Sequence, residues 1–181
     1  MMLQFLKMNK NELRDRLKKQ RSKLSTEEAG NSSRQIINHA WPLIVWENIE
    51  SAHVYLPLKN QHEVDTLGLI RAAWQLKPAL KFATTDPLSC KTCWLDHDLR
   101  LTQPVPDTFQ YGLVIVPLLG FDKIGHRLGY GGGFYDQFLK GQEHALTIGL
   151  CYEFGHISNL PIEPHDVPLH FIVTEKQAYH F

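Results

Sequence analysis

The sequence has no surplus of charge, because 19 lysine and arginine residues balance 19 aspartate and glutamate residues. A protein that holds nucleic acid or an anionic membrane by overall charge needs an excess of cations, so the balance argues against both partners. No apolar run approaches the roughly 20 residues that a membrane-spanning helix requires. The first residues also lack the small-residue cleavage site of a secretory signal. We therefore expect a cytoplasmic protein.

Cysteine is scarce as well, with three residues at positions 90, 93 and 151. An odd and small number argues against a fold built on disulfides. Cys90 and Cys93 have C-x-x-C spacing, but no second pair of ligands follows at a spacing that would complete a zinc site. We expect three reduced thiols.

Two common nucleotide-binding motifs are missing. No G-K-[ST] completes a P-loop, and the glycines do not follow the G-x-G-x-x-G pattern of dinucleotide-binding proteins. Instead, six of the twelve glycines are concentrated between Gly120 and Gly133. This glycine loop is the most informative segment of the chain.

The glycine loop joins an apolar, β-branched strand at residues 112–117 to a predicted helix at residues 133–140. Ligands of open α/β sheets bind where strands end, and glycines let backbone N–H groups approach a phosphate closely. Arg127 can donate a bidentate pair to a phosphate. Asp136, one turn into the helix, can hold Mg2+ between phosphate oxygens. The alternative is a tight glycine-dependent turn without a ligand.

A basic helix is predicted from Lys10 to Lys23, with an apolar stripe of Leu13, Leu17 and Leu24. Four cations fall within roughly 80° of arc beside that stripe: Lys10, Arg14, Lys18 and Arg21. The helix can thus bury its leucines and present a row of cations to a bound polyanion. The alternative is a solvated basic face.

Strands alternate with helices along the rest of the chain, which favours an α/β fold with a largely parallel central sheet flanked by helices. We expect a single domain over residues 1–181, with the basic helix at its N-terminal side and residues 1–8 as an extension. The remaining predicted strands are 51–56, 79–83, 93–95, 99–101, 145–150 and 170–173. The other predicted helices are 25–41 and 65–77.

The glycine loop reads F-D-x-x-G-x-R-L-G-Y-G-G-G-F-Y-D from Phe121 to Asp136, and it resembles the signature of the 5-formyltetrahydrofolate cyclo-ligase family. Other stretches agree with that family in the same order: Lys10-x-x-Leu13-Arg14, Tyr55-Leu56-Pro57, Glu63-Val64-Asp65-Thr66, His165-Asp166 and Val173-Thr174-Glu175. The chain departs from the family at Thr84-Thr85, Gln103-Pro104 and Gln137.

The resemblance implies a cytoplasmic ligase of one-carbon folate metabolism. Such an enzyme converts 5-formyltetrahydrofolate to 5,10-methenyltetrahydrofolate with ATP and Mg2+, and it releases ADP and phosphate. The formyl oxygen takes the γ-phosphoryl group, N10 closes the ring, and phosphate leaves. The substrate can carry a polyglutamate tail, and we expect a monomer with no nucleic-acid or membrane partner.

The resemblance also implies roles for residues of this chain. Arg127 and Asp136 are the implied catalytic residues, and Asp136 with Asp166 would hold the metal. The implied ATP-binding residues are Lys10, Arg14, Arg127, Leu128, Gly129, Tyr130, Gly131, Gly132, Gly133, Phe134 and Tyr135. The implied folate-binding residues are Leu56, Glu63, Tyr130 and Phe134.

Two other functions fit parts of the sequence. One is a sugar-phosphate or acyl-carrier-binding protein of similar fold, which would bind one phosphate without hydrolysing ATP. The basic row on the first helix favours a triphosphate over that reading. The other is a non-catalytic folate-binding protein, which the departures in the middle of the chain would allow.

Overall fold

A sheet of eight strands forms the centre of the computed structural model, which describes residues 8–161, 163 and 166–181. Of the expected N-terminal extension, residues 1–7 lie outside the described part. The helices are α1 Lys10–Arg21, α2 Thr26–Ala40, α3 Leu67–Leu76 and α4 Phe134–Lys140. The strands are β1 Ser51–His53, β2 Lys81–Thr85, β3 Thr92–Leu95, β4 Leu101–Pro104, β5 Leu113–Pro117, β6 Gly120–Phe121, β7 Arg127–Leu128, β8 Leu146–Leu150, β9 Phe171–Val173 and β10 Ala178–His180.

The strand order is β10-β9-β8-β5-β1-β2-β3-β4. The five strands from β9 to β2 are parallel, and antiparallel strands extend the sheet at both edges. The predicted α/β class with a largely parallel sheet is therefore confirmed. The chain order reverses between β1 and β5, which is the place where open α/β sheets bind their ligands.

Strand β5 divides the main cores of the molecule. Leu113 and Ile115 face a cluster that includes residues of α2 and α3, whereas Val114 and Val116 face a second cluster that includes Leu139 of α4. This alternation follows from the period of two in a β-strand. Burial on both faces explains why the sequence of β5 is continuously apolar.

Helix α1 belongs to neither of these clusters. Leu13 and Leu17 pack with Leu119 and Leu128, which flank and end the small β6–β7 hairpin inside the glycine loop. The capping box of Asn9 and Glu12 fixes where this helix begins. The apolar stripe therefore sets α1 directly on the loop, and the cations beside the stripe come with it.

Several details differ from the sequence prediction; for example, the strand predicted at 99–101 lies at Leu101–Pro104. The first predicted strand, 51–56, ends at His53, because the Tyr55 carbonyl accepts a hydrogen bond from the Thr66 hydroxyl at 2.7 Å instead of continuing a ladder. The β6–β7 hairpin was not predicted, since two-residue strands leave no periodic pattern. Strand β10 was not predicted because none of its three residues is buried. None of the helices in the described part of the chain has the length and apolar character to cross a bilayer.

His53 at the end of β1 is fully buried. Its Nε2 lies 3.0 Å from the Thr85 hydroxyl, while its Nδ1 has no hydrogen-bond partner among the described residues. The Phe138 ring lies 4.5 Å away between centroids. Burial lowers the pKa of His53 to about 3, because an apolar environment disfavours the charged imidazolium.

We predict that His53 makes folding stability dependent on pH. An unfolded histidine titrates near 6.5, so below that pH the unfolded chain binds a proton that the folded chain excludes until about 3. Stability from this group is complete above about pH 6.5 and declines by about 2 kcal/mol at pH 5. Urea unfolding at pH 7.5 and 5.0 should show a smaller loss for His53→Gln than for the wild type. An equal loss in both proteins would contradict the assignment.

Candidate active site

A cavity of about 240 Å³ lies where β5 ends, between α1 and the start of α4. Most of the residues that the sequence predicted to bind phosphate or metal line it, although they come from separate parts of the chain. The lining residues are Lys10, Arg14, Pro117, Arg127, Gly129, Tyr130, Gly131, Gly132, Gly133, Phe134, Tyr135, Asp136, Glu163 and Asp166.

The β6–β7 hairpin places Arg127 at this cavity. The buried Asp122 carboxylate shapes the turn of the hairpin by accepting from the backbone N–H groups of Ile124 and His126, each at 3.1 Å. Arg127 then follows on β7, paired with Phe121. The F-D-x-x-G part of the sequence signature is thus a turn that orients an arginine.

Gly131 permits the loop to approach α1. Its φ is 101°, which an L-residue with a side chain rarely adopts, and a Cβ here would lie 3.2 Å from the Arg14 guanidinium carbon. The neighbouring Gly132 has no atom within 4 Å of the same position. The loop therefore packs closely against the Arg14 side chain at Gly131 and faces open space at Gly132.

Hydrogen bonds hold both arginines of the cavity in place. The Nε of Arg14 donates to the Gly129 carbonyl at 2.9 Å. The Arg127 guanidinium donates to the Val167 carbonyl and to the Asp136 carboxylate. Burial lowers the pKa of Arg127, and the charges of Asp136 and Asp166 counter that effect. Arg127 is thus a desolvated cation with carboxylates beside it.

Lys10 forms the second set of ion pairs. Its Nζ lies 2.8 Å from Glu163 Oε2 and 3.0 Å from Asp166 Oδ2. Burial works against its charge, but hydrogen bonds to the two carboxylates raise the pKa of Lys10 above its ordinary value. Cations and carboxylates therefore alternate around the cavity. A bound polyanion can take the cations as partners while a divalent metal takes the carboxylates.

Glu163 was missed by the sequence analysis. It lies three residues before Asp166, and its backbone N–H donates to Asp166 Oδ2 at 2.9 Å. The signal available in the sequence was the spacing of two acids around a proline-rich turn. His165, which was part of the matched stretch, lies outside the described residues.

Glu63 lies beside the glycine loop without lining the cavity. It is buried, and its Oε2 accepts from the Leu58 backbone N–H at 2.7 Å. Burial is the largest cause of the raised pKa of Tyr130 and of Tyr135, and the charge of Glu63 is the second largest. Glu63 therefore approaches the loop from the β1–α3 connection. Leu56, on the same connection, is half-buried against the core of α2 and α3.

Two parts of the expected site lie away from the cavity. The Leu128 side chain does not face the cavity, because it is buried with Leu13 and Leu17 under α1. The basic row also divides. Lys10 and Arg14 line the cavity, whereas Lys18 and Arg21 lie over the Tyr130 ring, at 5.9 and 5.4 Å from its centroid.

A second cavity, of about 420 Å³, shares Phe134 with the first. Its walls include Phe109, Tyr111, Phe138 and Gln137, the last being one of the departures from the family pattern. Phe134 stacks on Phe138 with centroids 5.4 Å apart, so one aromatic ring separates the two spaces.

Among residues 8–161, 163 and 166–181, no three His, Cys, Asp or Glu side chains are grouped so as to hold a metal ion. A cage of three protein ligands is not required for Mg2+, which commonly uses one or two carboxylates together with phosphate oxygens and water. Asp136 and Asp166 at one cavity fit that kind of site. Cys90, Cys93 and Cys151 are all free thiols.

Comparison with known proteins points to one family. The sequence profile of the 5-formyltetrahydrofolate cyclo-ligase family matches residues 6–175. The 5-formyltetrahydrofolate cyclo-ligase of Haemophilus influenzae is 27% identical over 187 residues, which covers 90% of this chain and 96% of that protein. The enzyme of the same name from Escherichia coli K12 is 28% identical and covers 76% of this chain and 86% of its own length.

Solved structures share the fold. The 5,10-methenyltetrahydrofolate synthetase from Mycoplasma pneumoniae superimposes with a TM-score of 0.77 at 24% identity, covering 93% of this chain and 99% of that one. The synthetase from Aquifex aeolicus gives a TM-score of 0.73 at 26% identity, covering 96% and 93%.

Adjacent glycines of the loop should respond differently to substitution. Gly131→Ala places a side chain at positive φ against Arg14, so we expect a loss of about 1–2 kcal/mol in unfolding free energy. Gly132→Ala is the matched control, and it should change stability by less than about 0.5 kcal/mol. Denaturant unfolding measures both. Equal effects at the two positions would show that the approach to Arg14 does not constrain the loop.

Proposed function

Because the chain belongs to the 5-formyltetrahydrofolate cyclo-ligase family and is thereby a ligase of folate metabolism, we propose that ATP and Mg2+ drive its conversion of 5-formyltetrahydrofolate to 5,10-methenyltetrahydrofolate. The observation that carries the ATP requirement is the convergence of Lys10, Arg14 and Arg127 on one cavity wrapped by glycines. A single phosphate would not need three cations from two distant parts of the chain.

The proposed role of the cations is to bind and orient the triphosphate. Phosphoryl transfer depends mainly on positioning and on neutralising charge, so a site for it needs donors and cations rather than a covalent nucleophile. Hydrogen bonds to Val167 and Asp136 fix the orientation of the Arg127 guanidinium. One edge of the guanidinium can then donate to a phosphate while these bonds are kept. Lys10 and Arg14 complete the charge from the α1 side.

Asp136 and Asp166 are the residues proposed to hold Mg2+. The metal would neutralise charge on the transferred phosphoryl group. Both carboxylates are paired with protein cations, at Arg127 and Lys10. Those pairs orient the carboxylates, whose oxygens are the kind of ligand that Mg2+ takes.

The proposed chemistry explains why a ligase needs ATP here. The formyl oxygen attacks the γ-phosphorus and ADP leaves, so the oxygen becomes part of a phosphate ester. N10 then attacks the formyl carbon, loses its proton, and the carbon–oxygen bond breaks as phosphate departs. An amide oxygen is a poor leaving group until it carries the phosphoryl group, and closure of the ring depends on that change.

The folate is proposed to bind on the other side of the glycine loop. Glu63 is a buried carboxylate that can accept hydrogen bonds from the N–H groups of a pterin. Leu56 lies on the same connection, and Tyr130 and Phe134 form the adjoining edge of the ATP cavity. In this proposal the two sites meet at Tyr130 and Phe134, where the formyl oxygen can reach the γ-phosphorus.

Purified protein should develop the near-ultraviolet absorbance of the methenyl product when 5-formyltetrahydrofolate, ATP and Mg2+ are all present. Omission of ATP, or chelation of Mg2+, should abolish the change because the formyl oxygen then keeps its bond to carbon. ADP is measured in parallel. Binding of 5-formyltetrahydrofolate in calorimetry without ADP formation would favour a non-catalytic folate-binding protein and contradict the proposal.

Asp136→Asn should lower kcat by at least about 100-fold. The amide keeps the shape of the side chain and can still accept from Arg127, so we expect the fold to survive. Thermal unfolding checks that expectation. Asp98→Asn is the control, because Asp98 is an exposed acid that pairs with Arg100 across a turn. Wild-type turnover by Asp136→Asn would remove the proposed metal role.

A further inference from the structure

Arg21, the last residue of α1, is buried although it carries a charge. Its Nη1 donates to the Tyr130 hydroxyl, and the guanidinium lies 5.4 Å from the centroid of the Tyr130 ring. Arg21 does not line the cavity that contains Lys10 and Arg14. Arg21 therefore contacts the glycine loop through Tyr130 and does not contact the phosphate site directly.

The Tyr130 hydroxyl lies between two charged groups. Burial and the neighbouring Glu63 carboxylate raise the pKa of Tyr130, whereas the Arg21 guanidinium, which donates to the hydroxyl, lowers it. Glu63 forms no ion pair with a cation in the described part of the chain. The phenol thus accepts a hydrogen bond from a buried guanidinium and lies near a buried carboxylate.

This arrangement matters because a charged side chain that is removed from water needs a compensating partner. A buried charge without compensation costs several kcal/mol, and hydrogen bonds to charged groups are stronger than those between neutral ones. Tyr152 reinforces the same region, since its hydroxyl donates to the carbonyl of His62, the residue before Glu63, at 2.9 Å. The surroundings of the Glu63 carboxylate therefore include the Tyr130 ring, which Arg21 of α1 holds in place.

We propose that Arg21 is a positioning residue that fixes the Tyr130 ring beside the Glu63 carboxylate, in the geometry that accepts the folate. This inference rests on the proposed function, in which Glu63 receives the pterin. Arg21 makes the end of α1 part of the folate site, whereas Lys10 and Arg14 make its beginning part of the ATP site. One helix would thereby set the distance between the two substrates.

The first test compares the effects on the two substrates. Arg21→Met should raise the KM for 5-formyltetrahydrofolate about tenfold, which corresponds to loss of one charge-assisted hydrogen bond, and leave the KM for ATP within about twofold. Arg21→Lys should restore part of the folate affinity because it keeps a charged donor. Lys19→Met, an exposed residue of the same helix, should change neither value.

A double-mutant cycle tests whether the effect passes through the hydroxyl. Tyr130→Phe should raise the folate KM like Arg21→Met, and combining both changes should add little to either alone. Should Arg21→Met fail to fold, Tyr130→Phe decides alone, and an unchanged folate KM in that variant overturns the proposal. A rise in the KM for ATP instead of folate would also overturn it, because Arg21 would then serve the polyanion.

Calorimetry separates this inference from the proposed function. If the wild type gives no ADP and binds neither nucleotide nor 5-formyltetrahydrofolate, the proposed function itself fails. If the wild type turns over normally while Arg21→Met and Tyr130→Phe bind 5-formyltetrahydrofolate as tightly as it does, only the role of Arg21 fails.

Discussion

The contact between two leucines of α1 and the β6–β7 hairpin is the interaction on which the whole site depends. Leu13 and Leu17 are almost fully excluded from water beside Leu128, and each contributes about 2 kcal/mol of hydrophobic stabilisation. That apolar contact sets the helix on the glycine loop. The cations beside the stripe are thereby brought to the glycine loop.

Without a substrate, the charged side chains of the cavity form ion pairs with one another. Arg127 is paired with Asp136 and Lys10 with Asp166, so the cavity holds desolvated charges of both signs in near balance. Removing one partner would leave the other buried and uncompensated, which is costly. A substrate that brings both a polyanion and a divalent cation can exchange every pair at once, and this explains why such charges are tolerated in one cavity.

The fold was largely readable from the sequence, because long buried strands and amphipathic helices have strong periodic patterns. Strand β5 and helix α1 are examples, with ends within two residues of the prediction. The β6–β7 hairpin could not be predicted, since strands of two residues are defined by their pairing and leave no pattern in the sequence. Leu128 was read as part of a ligand-binding motif, and only its burial under α1 shows that its side chain is structural.

The sequence by itself determined the chemistry available to this protein: a glycine-rich loop with an arginine and an aspartate, a row of cations beside leucines, and the signature of one family. It could not determine which of these groups meet. Lys10 and Asp166 are separated by most of the chain, and Arg21 looks like the other cations of its row until its burial against Tyr130 is seen. Residue type and spacing are local properties, whereas the pairing of distant charges depends on tertiary contacts that bury them together.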